Sequence, residues 1–353
     1  MFEKLFKAVR IMKNSDAWRI KINTIEKSIP KIEIKKNDIP IVYLDTCIMI
    51  ELARYEQGRC MNEHKQEIGK IYDLLILLMR NNKILCPLGN QMIEMGVSLP
   101  RERARNFLYN FTNMQFREPY FAEKTQIDIG YQAFLKEETI IDFCSSSYIE
   151  EDKYPNSRIQ VNVTPIYKQH KLEEMKEEKK RIVHLQNEAK TDKKVAENLE
   201  QQLEAELQAD LVVLTYIFEH VFDSIETYSL FIDTARLILE RNQCELNIYN
   251  PELIQAVQKY CCFLESLYHH KLPYIWIQSV LWAYRMQSSD RIVDGDNLDT
   301  VWASAYLPFI NYAVTDYSFC TLLQTTGLSA KYSTQVYSLK TLEEFISDME
   351  TLL

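Results

Sequence analysis

DGDNLDTVWASAYLPFINYAVTDYSF, residues Asp294 to Phe319, reads as a helix followed by a strand. After Asn297 the apolar residues Leu298, Val301, Trp302, Ala305 and Tyr306 recur at offsets of three and four, which makes one helical face that must pack on something. Pro308 stops that helix. Tyr312, Ala313 and Val314 then form a short apolar strand, with Thr315 and Asp316 at its carboxyl end. In open α/β sheets that end is where sites are built. Asp294, Asp296, Asp299 and Asp316 therefore surround an otherwise apolar unit.

The neighbouring segments extend the same pattern. Downstream, Phe319 to Leu323 reads as a helix, Gln335 to Leu339 as an alternating strand and Thr341 to Leu353 as a terminal helix, opened by TLEE as a capping box of Thr341 and Glu344. At the other end of the chain, Phe2 to Met12 has the spacing of an amphipathic helix, and Lys31 to Asp38 is polar. Past Pro40 the run IVYLD is a buried strand that Asp45 closes, and Thr46 to Ala53 turns helical with Ile48, Met49 and Leu52 on one side. An aspartate in that place is also an N-cap in its own right. Ile68 to Met79 is an apolar helix, Lys83 to Pro87 (KILCP) a second short strand, and Gln91 to Val97 a further helical start carrying Glu94. A glutamate early in a helix is equally a solvated residue favoured by the macrodipole. After Pro100, RERARNFLYNF sets Arg101 and Arg105 on one face, either to hold phosphates or as a solvated face paired with Glu102.

Between these ends the character changes. Gln115 to Pro165 gives no clean pattern, and from Pro165 to Pro251 there is neither Pro nor Gly. Lys171 to Asp210 is dense in Glu, Lys and Gln, with Met175, Ile182, Ala189, Ala196 and Leu203 spaced by seven. That is the seam of a weak coiled coil, or of a hairpin turning near Thr191, in a solvated arm. Leu211 to Phe222, Tyr228 to Glu240, Leu253 to His270 and Pro273 to Met286 follow as apolar-rich helices. Strand-helix units at both ends of the chain, with a helical block between, predict an α/β fold: a parallel sheet flanked by helices and interrupted by a large all-helical insertion.

Composition narrows the function classes. With 353 residues, 46% of them hydrophobic, the chain buries a sizeable core, and seven glycines in all mark a helix-dominated fold with few tight turns. Eight cysteines without a CxxC give no zinc pattern and no secreted disulfide framework, which fits a reduced cytoplasmic protein. No stretch has the roughly 20 apolar residues of a membrane span, and the first residues lack the apolar core of a signal peptide. A net charge of −9 argues against a protein that coats nucleic acid through its bulk field, but not against an enzyme with local basic groups.

Asp45, Glu94, Asp296 with Asp299, and Asp316 all fall at strand ends or in the first turn of the next helix. If those strands are neighbours in one parallel sheet, the carboxylates converge at its edge. Such a cluster needs cations to stay ionised, because like charges a few ångströms apart raise one another's pKa. Hard oxygen ligands without His or Cys select Mg²⁺ or Mn²⁺, and phosphodiester hydrolysis is chemistry that uses such a site. Competing motifs fail on spacing. Counted from Asp294, the fifth and twelfth positions of a calcium loop are Leu298 and Ala305, and Cys47 replaces the second Asp of an aspartyl-phosphate phosphatase. No Walker loop or GxSxG elbow occurs.

Together these residues resemble the PIN-domain nucleases. YLDTCIMIEL looks like that family's first motif, LDTVWASAYLPFINYAVTDYSF like its third and fourth, and SLKTLEEFISDM like its last strand and helix. The resemblance covers Ile41 to Val97 and Asp290 to Leu353, and Cys47 stands where a Ser or Asn is common. It implies a PIN-like domain in two parts, residues 39–114 and 288–353, with a helical extension at 1–38 and a mostly helical insertion at 115–287. It implies Asp45, Glu94, Asp299 and Asp316 as metal-binding acids, Asp296 as an auxiliary one, and Thr46 or Thr315 as a supporting hydroxyl. The activity implied is a Mg²⁺- or Mn²⁺-dependent endoribonuclease in which a metal-activated water hydrolyses the phosphodiester, with DNA as the alternative substrate. A toxin or defence effector held off by an inhibitor is one biological role for that chemistry. The rival reading is a catalytically weak scaffold that works through protein partners, with a regulatory protein on the insertion.

Overall fold

The computed structural model describes residues 30–60, 63–89, 91, 101–149, 225–246, 252–287 and 295–353. In chain order the elements are β1 (Lys31–Lys35), β2 (Val42–Leu44), α1 (Thr46–Glu56), α2 (Lys65–Arg80), β3 (Pro87–Leu88), α3 (Arg101–Phe111), β4 (Met114–Gln115), α4 (Pro119–Leu135) and β5 (Ile140–Cys144). There follow α5 (Ile225–Arg241), α6 (Leu253–Leu264), α7 (Leu267–His270), α8 (Pro273–Gln287), α9 (Gly295–Tyr306), β6 (Tyr312–Val314), α10 (Tyr317–Thr325), α11 (Leu328–Lys331), β7 (Gln335–Tyr337) and α12 (Leu342–Glu350). Parallel strands mixed with helices make this an α/β protein. Among the described residues no helix is long and apolar enough to cross a membrane.

The chain divides into two compact units. Among the described residues, the first takes 30–33, 124–142, 225–246 and 252–279, and the second 34–60, 63–89, 91, 101–123, 143–149, 280–287 and 295–353. The first unit is built from helices around aromatic contacts. Tyr131 meets Tyr260 and Phe263 edge-on, Arg241 pairs with Asp128 at 2.6 Å, and the Gln126 Oε1 accepts from the Tyr274 N–H at 2.8 Å. Gly130 packs closely here: a Cβ at this position would lie 2.5 Å from Leu272 Cδ2, so any larger residue would have to push the end of that side chain aside.

The second unit is organised on β6. This strand lies between β2 and β7, parallel to both, with Leu44 opposite Val314 and Val314 opposite Tyr337. Its apolar run YAV suits a strand buried on both faces, and Ala313 and Val314 are fully buried. Ile41 also bridges in parallel to Leu85, just before β3, which itself pairs in parallel with β4. Helices α1, α2 and α12 supply the core against the sheet through Ile48, Leu52, Leu75, Leu78, Phe345 and Met349, all fully buried.

Several expectations from the sequence need correcting. The stretch read as an all-helical insertion contains β5, in which Ile141 and Phe143 are buried while Ile140 and Asp142 are exposed: a strand alternation too short to stand out in a mixed region. The capping box is Ser338 with Thr341, not Thr341 with Glu344. A 3-10 turn at Leu339–Thr341 precedes α12, and the Thr341 hydroxyl accepts from the Ser338 N–H at 2.9 Å. The run KILCP is a strand only from Pro87, with Leu85 making a single bridge. Helix α11 was not foreseen; it follows Gly327, whose φ of 70° is the left-handed turn that glycine permits. The expected helices at Phe2–Met12 and Leu211–Phe222, the arm at Lys171–Asp210, and Asp294 lie outside the described residues.

Candidate metal centre

The centre is built from the ends of two adjacent parallel strands. Asp45 follows β2 directly, and Asp316 follows β6 after Thr315. Both have the same extended backbone, φ −66° and ψ 161° at Asp45 and φ −67° and ψ 161° at Asp316, and both cap the helix that begins there. The Oδ1 of Asp45 accepts from the Thr46 N–H at 2.7 Å, and the Oδ1 of Asp316 accepts from Ser318 and Phe319 at 2.8 and 3.1 Å. Each carboxylate thus has one oxygen tied to a helix N-terminus and the other left for further contacts. Since Leu44 pairs with Val314, Asp45 abuts the fully buried Thr315, whose hydroxyl donates to Asp45 Oδ2 at 2.7 Å.

Asp299 comes from the first turns of α9, and carboxylate oxygens of Asp45, Asp299 and Asp316 all lie within 4.8 Å of one another. Burial pushes the Asp45 carboxyl up from its ordinary value, against the hydrogen bonds from Thr315 and Thr46, and the charge of Asp316 adds to the rise. Cys47 lies beside them with its Sγ 3.9 Å from Asp45 Oδ2. Burial and the three carboxylates push this thiol far up, so it stays neutral.

One cation completes the arrangement. Arg285, near the end of α8, has a side chain only 9% exposed. Its Nη2 lies 3.1 Å from Asp296 Oδ1 and 3.8 Å from Asp299 Oδ2, while its Nη1 donates to the Thr300 hydroxyl at 2.6 Å and to the Asp296 carbonyl. Its guanidinium also lies over the rings of Trp282 and Phe319, at 5.4 and 5.5 Å. At the rim Tyr317, next to Asp316, is 54% exposed, and the Lys340 Nζ stands 3.5 Å above its ring.

Of the acids expected from sequence, Asp45, Asp299 and Asp316 come together, and Asp296 faces Arg285 outside that trio. Thr315 supports Asp45 through its hydroxyl, and Thr46 does so through its backbone N–H. Glu94 lies outside the described residues, as do the side chains of Arg101 and Arg105 on α3. Arg285 was missed because it falls in the stretch read as insertion. Its signal was present: it is the only charged residue in PYIWIQSVLWAYRMQ.

Two oxygens on one divalent ion at 2.0–2.6 Å are separated by no more than about 4 to 5 Å. The trio's oxygens, within 4.8 Å of one another, fall inside the upper end of that range, a bound slightly wider than the span of about 4.2 Å that Mg²⁺ allows, and its all-oxygen donors fit a hard cation. No protein-family model, no curated protein and no solved structure matches the chain.

Proposed function

We propose that this chain is a divalent-metal-dependent endonuclease of the PIN type that hydrolyses RNA, working in a reducing cytoplasm. The observation that carries the reading is the meeting of Asp45, from near the start of the described chain, with Asp299 and Asp316, from α9 and the end of β6, at the carboxyl end of a parallel sheet. The order of elements supports it further. One strand ends in Asp-Thr and opens a helix; another is preceded by an acidic helix, ends in Thr-Asp and opens a second helix.

Asp45, Asp299 and Asp316 would hold Mg²⁺ or Mn²⁺. Bound there, the cation would supply the Lewis acidity that makes water a nucleophile at neutral pH and offsets charge building on a phosphate. The chain's own residues do the rest. Thr315 and the N-terminus of α1 fix Asp45, and the N-terminus of α10 fixes Asp316, so the acids are aimed before substrate arrives. The exposed Tyr317 offers a ring face for a base, and Lys340 a charge for a phosphate.

The test is the chemistry of the cut ends. Hydrolysis by water yields a 5′-phosphate and a 3′-hydroxyl. Products ending in 2′,3′-cyclic phosphate would overturn the reading, because they require the ribose hydroxyl as nucleophile.

A further inference from the structure

Three carboxylates within 4.8 Å of one another repel unless something positive stands near. Arg285 is that positive group, and its placement goes beyond a pairing with Asp296. It reaches α9 four times, through the Asp296 carbonyl, the Thr300 hydroxyl and the carboxylates of Asp296 and Asp299. It reaches α10 through the ring of Phe319, whose N–H binds the Asp316 carboxylate. One buried side chain therefore touches two of the three helices that carry the trio, α9 with Asp299 and α10 with its cap Asp316. The planar fork of arginine makes these contacts at once, which the single ammonium of lysine does not. Burial pulls its pKa below the ordinary arginine value, and the charges of Asp296, Asp299 and Asp316 oppose that drop in part.

We propose that Arg285 is the built-in counter-cation of the carboxylate trio, a positioning residue that holds Asp299 and offsets the trio's charge, so that the acids stay gathered when no metal is bound. The site is then formed in advance, and an arriving cation does not have to assemble it. The inference rests on the trio itself and not on the reaction assigned to it, so its failure and that of the nuclease reading are separate events.

The experiment is a double-mutant cycle on the metal-free full-length chain in EDTA: wild type, Arg285→Gln, Asp316→Asn, and both together. Stability is read from urea unfolding by hydrogen exchange in peptides covering Val42–Met49 and Tyr312–Cys320, which report on the second unit. Asp316→Asn keeps the cap but removes one negative charge. Arg285→Gln is expected to lower the folded-to-unfolded ratio, by a factor about fivefold smaller in the Asp316→Asn background, well beyond the roughly twofold limit of additivity. Folding of the double variant where Arg285→Gln alone does not fold supports the proposal equally. Losses that agree within about twofold in the two backgrounds, or a larger loss in the Asp316→Asn background, would show that Arg285 acts by packing alone and would overturn it. So would a chain that fails to fold in both.

Discussion

Thr315 shows how much one hydroxyl can decide. It is fully buried, and it donates 2.7 Å to a carboxylate that is itself 6% exposed. Thr315→Val keeps the shape but leaves the Asp45 Oδ2 short of a donor. It should cost about 1–3 kcal/mol in urea unfolding of the metal-free protein, with Thr315→Ser recovering most of it. His269, in the first unit, makes the second prediction at this scale. Burial lowers its pKa from 6.5 to about 3, with the neighbouring His270 adding to the drop. The unfolded chain therefore takes up a proton that the folded one refuses, so this contribution is complete above pH 6.5 and is lost as pH falls toward 3. His269→Phe should make the acid limb of the stability curve shallower by up to about one proton, or ~1.4 kcal/mol per pH unit, and an unchanged slope would contradict the assignment. Asp45, Asp316 and Thr315 were legible in the sequence because apolar runs ending in Asp-Thr or Thr-Asp mark strand ends directly. Arg285 was not, because one arginine in an apolar helix announces a buried charge without naming its partner.

Among the elements, the two strand-to-helix junctions behave as matched pairs: the same backbone angles place Asp45 and Asp316 as caps of α1 and α10. The capping role separates from any chemistry by substitution. Asp316→Ala should cost about 1 kcal/mol of stability through the lost cap, whereas Asp316→Asn should keep the cap and lose the charge. Equal destabilisation by both would mean that the cap contributes nothing. On α12, fully buried Phe345 packs in the core of the second unit, so Phe345→Ala should cost about 3–5 kcal/mol, measured by the same unfolding. The strand β6 and the helix α9 could be read from sequence because apolar spacing and Pro308 bounded them on both sides. The strand β5 and the start of α12 could not. The former is five residues in a region of mixed pattern, and at the latter TLEE fits a capping box that Ser338 takes instead.

For the molecule as a whole, the net charge of −9 means that the bulk field does not draw RNA in. On the proposed reading, catalysis on a polyanion would depend on what is local: a cation held by the carboxylate trio, Lys340 beside Tyr317, and Arg285 behind Asp299. The α/β class and the parallel sheet followed from the order of strand-helix units at the chain's two ends. The division into two units did not, because its boundaries at residues 33 and 34, 123 and 124, and 279 and 280 run through single strands and helices rather than through polar linkers. The most direct test of the central claim is cleavage of labelled single-stranded RNA and DNA by wild type and Asp299→Asn, each with Mn²⁺ and with EDTA. The account predicts that wild type with Mn²⁺ cuts RNA, and that EDTA or the substitution lowers the rate at least about 100-fold, beyond what loss of an outer-shell partner typically costs. Cleavage that survives EDTA or Asp299→Asn, or no cleavage by wild type with Mn²⁺, would contradict it.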